Sequence, residues 1–88
     1  MPINWNEIAS QAGQSTDDHF KNQISSLTRL NDQEIETLIN DTGISKQDLS
    51  EVLKEIKDTT KSNTNKANAI KNISKGVDVL VGLVSKLI

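Results

Sequence analysis

Three times in the first 49 residues of this chain, a residue that can cap a helix is followed three positions later by an acid and bracketed by apolar residues. That pattern commits the chain to short helices. A cap side chain accepts a hydrogen bond from a backbone N–H in the first turn, the acid reaches back to the cap's own N–H, and the flanking apolar pair staples the entry. Asn4 with Glu7 lies between Ile3 and Ile8, Asn31 with Glu34 between Leu30 and Ile35, and Ser45 with Asp48 between Ile44 and Leu49. Ser15 with Asp18 is a further box without a staple. Gly13 and Gly43 fall where a left-handed residue would close the first and third helices, and Ile44 stands where a Schellman cap would bring it against Ile39.

Between these signals the apolar residues recur at helical spacing: Trp5, Ile8, Ala9, Ala12; Phe20, Ile24, Leu27; Ile35, Leu38, Ile39; Leu49, Val52, Leu53, Ile56. No window alternates β-branched with polar residues and Tyr is absent, so no strand is predicted. The expected fold is all-α, a small bundle of four to five short helices near 4–12, 15–29, 31–42 and from 45 onward, in a single domain over 1–88. Ile, Leu, Val and Phe make up 24 of the 88 residues, enough for a small core and above the roughly 20% below which chains stay disordered. Trp5, one of two aromatics beside Phe20, is expected to anchor the first helix in that core.

The second half is less plainly punctuated. The stretch 57–66, KDTTKSNTNK, has no apolar residue, yet one heptad frame crosses it. With Leu49 at a, the a positions are Leu49, Ile56, Asn63, Ile70, Val77 and Val84, and the d positions are Val52, Thr59, Lys66, Ile73, Leu80 and Leu87. Either one long helix has a polar waist, or helices flank a loop that preserves phase. Thr59, Thr60, Asn63, Thr64 and Asn65 are poor helix formers and favour a break near 59–65, between a helical head over 1–58 and an amphipathic helix over 66–88.

Composition removes several classes of function. Without cysteine, disulfide scaffolds, zinc ribbons and thiol chemistry are excluded. The opening MPINWNEIASQAG has neither a basic region nor an apolar run of signal length, so a cytoplasmic location is the expectation. Val77 to Ile88 is twelve residues with Asp78, Gly82, Ser85 and Lys86 among them, short of the roughly 20 needed to span a bilayer. His19 beside Asp17 and Asp18 invites a metal reading, but adjacent helical residues diverge by about 100°, no second His exists, and the acids suit a helix N-terminus. No phosphate loop, serine elbow or HExxH run is present, so neither enzyme activity nor a cofactor is expected.

The net charge of −2 hides an asymmetry: residues 1–45 carry seven acids and two bases, residues 46–88 five acids and eight lysines. The strongest functional signal is the C-terminal stripe, Ile70, Ile73, Val77, Leu80, Val81, Val84, Leu87 and Ile88 at helical spacing with Val79 and Leu83 widening it, and the contact residues expected on it are Ile70, Ile73, Val77, Leu80, Val84 and Leu87. The leading expectation is a non-enzymatic interaction or self-assembly module that uses this stripe against a second copy or another helical protein. Residues 35–53, IETLINDTGISKQDLSEVL, resemble a helix-turn-helix unit, a helix, a Gly turn, a cap and a second helix. That resemblance implies a nucleic-acid regulator with Lys46, Gln47 and Lys54 at the contacts, against which stand the acids Asp48 and Glu51 on the same helix and the absence of a basic stripe. A third reading is a membrane-surface effector, since Lys61, Lys66, Lys71 and Lys75 precede the apolar end without an intervening acid.

Overall fold

The computed structural model describes residues 5–87, with side chains as far as Val84. It is all-helical: α1 (Trp5–Ala12), α2 (Asp17–Leu27), α3 (Asp32–Thr42), α4 (Lys46–Lys57), α5 (Asn63–Lys71) and α6 (Gly76–Leu87), with no strand among the described residues. Six helices stand where four to five were expected. The excess arises entirely after residue 57, where the chain turns twice.

The box at α3 forms in full: Glu34 N–H donates to Asn31 Oδ1 at 2.8 Å, and Asn31 N–H donates to Glu34 Oε1 at 3.2 Å. Its staple residues, Leu30 and Ile35, are both buried. Ser45 caps α4 by accepting from Asp48 N–H at 3.1 Å, again between buried Ile44 and Leu49. Between these helices Gly43 adopts φ 73°, and its N–H donates to Ile39 O at 2.9 Å. Ile44 N–H turns instead to Thr42 Oγ1, so the closure is the single-bond left-handed type and not the Schellman cap expected. Two other signals shift. The cap of α2 is Thr16, one residue after Ser15, and it accepts from His19 N–H at 3.2 Å. Gly13 is not left-handed; α1 closes through Gln14 and Ser15 N–H on Gln11 O. Asn4 lies outside the described residues.

The polar stretch after α4 is a turn followed by a helix start. Asp58 accepts from the backbone and the hydroxyl of Thr60, at 2.9 and 2.5 Å, and Ser62 caps α5 by accepting from Asn65 N–H at 3.2 Å. The helix expected over 66–88 is then divided. Asn72, Ile73 and Gly76 N–H make tight bonds to Ala69, Ile70 and Ile73 O, and Lys75 takes φ 64° in the left-handed region. A Cβ on Gly76 would collide with the backbone carbonyl of Ile70, so only glycine lets α6 leave α5 this closely. The heptad frame of the sequence therefore runs over three helices and two turns.

Helix α4 is the central element, packed against α1, α5 and α6, while α2 pairs with α3 and α3 reaches α6. Leu49, Ser50, Val52, Leu53 and Glu55 are all buried, so α4 is enclosed on most of its circumference. Its most extensive contact is with α1, whose stripe Trp5, Ile8, Ala9, Ala12 includes small residues that permit close approach. Phe20, Ile24, Ile35, Ile70, Val79 and Leu83 complete one continuous core. The radius of gyration, 11.8 Å, matches the roughly 12 Å of a compact chain this long.

Candidate interaction surface

Helix α6 is apolar on more than one side, and the fold uses only one of them. Gly76, Val79 and Leu83 face inward, with Gly82 beside Leu38 of α3. Val77, Val81 and Val84, spaced i, i+4, i+7 on the other side, are 48%, 75% and 43% exposed. Every exposed large apolar side chain among the described residues belongs to this helix. The seam residues named from sequence are thus separated: Ile70 is buried in the core, Ile73 and Leu80 are partly buried against it, and Val77 and Val84 face outward. The side chain of Leu87 lies outside the described residues. A repeat read from sequence could not select the inward side, because Val79 and Leu83 are as apolar as the seam itself.

Beside this strip lies a groove of about 200 Å³, lined by Ile56 of α4, Asn63, Lys66, Ala67 and Ile70 of α5, and Leu80 and Val84 of α6. Val84 belongs to both features, so strip and groove form one apolar surface. Lysines frame it. Lys66 Nζ donates to Ile56 O at 3.0 Å, closing the end of α4 with a cation where the helix dipole is negative. Lys61 Nζ donates to Glu55 Oε2 at 2.7 Å, which holds the Lys61 ammonium above its ordinary pKa and partners the buried Glu55. Hydrogen bonds from Thr60 hold the Asp58 carboxyl below its ordinary value. Lys57, Lys71 and Lys75 make no ion pair among the described residues.

The residues of the helix-turn-helix-like segment lie elsewhere and are otherwise engaged. Lys46 Nζ donates to Ser15 O at 2.5 Å and pairs with Asp17 at 3.3 Å, Lys54 pairs with Glu51 at 3.8 Å, and Gln47 is exposed. The second helix of that segment is α4, the most enclosed of the molecule. Near Lys46 a polar cleft of about 120 Å³ opens between α2 and α3, with Lys21 on its wall paired to Glu36 at 3.2 Å and Asp18 at 3.6 Å. The Glu36 hydrogen bond holds the Lys21 ammonium above its ordinary pKa. Each cation in the cleft is thus matched by a carboxylate. His19 is exposed, and among the described residues no group of three or more His, Cys, Asp or Glu is placed to hold a metal ion.

Comparison with protein-family models, with curated proteins and with solved structures finds no match to this chain. Among the described residues no helix is long and apolar enough to cross a membrane.

Proposed function

We propose that this chain is a non-enzymatic protein-interaction module whose docking surface is the outer strip of α6 together with the adjoining groove. One observation carries the reading: the fold buries or half-buries every other large apolar residue among those described, yet leaves Val77, Val81 and Val84 in a row. Contiguous exposed apolar surface rimmed by polar groups is a mark of an interaction site. The enclosure of α4 supports this reading over nucleic-acid contact through Lys46, Gln47 and Lys54, since a recognition helix must protrude to enter a groove of the duplex. The site departs from the sequence expectation in its members: Ala67 enters, Val81, a stripe residue not among the expected contacts, is the most exposed of the row, and Ile73 serves the core.

The test compares the wild-type chain with Val81→Asp by light scattering over a range of concentrations, with circular dichroism as the control for folding. Self-association abolished by Val81→Asp at unchanged helicity supports the reading in its self-assembly form. Loss of helicity in Val81→Asp would mean that this side of α6 is needed by the chain's own core, and would overturn it. A wild-type monomer directs the reading to a partner of different sequence.

A further inference from the structure

We infer that the groove between α5 and α6 receives an acidic amphipathic helix of another protein; the inference rests on the docking reading above and names its partner. Charge complementarity selects the occupant. Residues 57–75 carry five lysines against the single acid Asp58; with Lys61 paired to Glu55 and Asp58 set against Lys61 and Lys66, Lys57, Lys71 and Lys75 still make no ion pair among the described residues. The Lys66 ammonium lines the groove and donates to a neutral carbonyl, and it shares with Lys61 the field of one carboxylate, Asp58. Lys71, one turn beyond Ala67 on α5, is exposed and makes no ion pair among the described residues. A helix laid in a groove anchors by apolar residues at i, i+3 or i+4 and i+7. Acids flanking such a stripe meet Lys66 and Lys71 while the anchors meet Ile56, Ala67, Leu80 and Val84.

The same charges disfavour the other occupants. A second copy carries the same lysine rim, so a two-fold pairing that sets α5 against α5 brings like charges together, which is costly across an interface. A flat bilayer surface does not reach a recess, and the aromatics that anchor interfacial helices, here Trp5 and Phe20, are locked in the core. The groove, at about 200 Å³, is also smaller than the roughly 300–1,000 Å³ of pockets that enclose small ligands.

The experiment offers the full chain two phage-displayed libraries of short amphipathic helices with the same randomised apolar stripe, flanked by Glu in one and by Lys in the other. Binders are expected from the Glu library only, with affinity falling as salt rises and about tenfold weaker to Val84→Asp and to Lys71→Glu. Both substitutions are at exposed positions, and unchanged circular dichroism verifies that they fold. Binders drawn equally from both libraries, or from the Lys library alone, overturn the acidic partner; if Val84→Asp still abolishes them, the docking reading stands without it. Absence of binders from either library, with a monomeric wild type, overturns both. Sedimentation with phosphatidylserine-containing vesicles that Val81→Asp abolishes transfers the surface to membranes and overturns the proposal.

Discussion

Lys75 and Gly76 are adjacent and carry opposite penalties. Lys75 holds a left-handed φ that costs an L-residue roughly 1 kcal/mol or more, and Gly76 occupies a spot where any side chain meets the Ile70 carbonyl. Lys75→Gly should therefore leave stability unchanged or raise it by up to about 1 kcal/mol, and Gly76→Ala should lower it by about 1–3 kcal/mol. Urea unfolding of the two variants checks both signs. Ser50 is a second informative residue. It is fully buried on α4, and its hydroxyl has no hydrogen-bond partner among the described residues. Ser50→Ala removes an orphaned polar atom at little change in volume, so the midpoint of urea unfolding should rise, by about 1 kcal/mol in stability.

At the scale of the element, the α4–α5 turn responds to pH from both sides. Asp58 is held below its ordinary value by Thr60, so its contribution is present above the usual carboxylate range and fades as pH falls through the lowered value. Lys61 is held above its ordinary value by Glu55, so its contribution is present through neutral pH and fades as pH rises through the raised value. The Thr60 amide resonance should follow the acid-side titration, and Asp58→Asn should abolish that dependence. Elements were legible in the sequence where their signals are local. The caps of α3 and α4 are side chain to backbone bonds within three residues, and Asn31, Glu34 and Ser45 spell them directly. The α5–α6 corner was not legible, because Ile70, Ile73 and Val77 keep heptad phase through it and its only marks are Asn72, Lys75 and Gly76. The outward side of α6 was hidden for a different reason. Which of two apolar sides turns inward is decided by where α3 and α4 lie, and no local signal in α6 carries that.

For the whole molecule, two residues separated by a single glycine on α6 should behave as if they belonged to different proteins. Leu83→Asp places a charge in the core, against an energy of several kcal/mol, and should abolish cooperative unfolding; Val81→Asp should leave the melting curve within about 0.5 kcal/mol of wild type. Phe20, fully buried and the only Phe in the chain, should lose about 3–5 kcal/mol on substitution by Ala, a large share of the 5–15 kcal/mol typical of a domain. Chemical denaturation followed by circular dichroism measures all three.

The central place of α4 also sets an order in time. A chain is synthesised from its N-terminus, and α1, made first, has its principal neighbour in a helix whose first residue is Lys46. Until that helix emerges, Trp5 and Ile8 lack the principal surface that covers them, whereas α2 and α3 can already pair through a connection of a few residues. The second and third helices can therefore pair before the first has its principal neighbour. For that interval the newborn protein shows a tryptophan to its surroundings that the finished one hides.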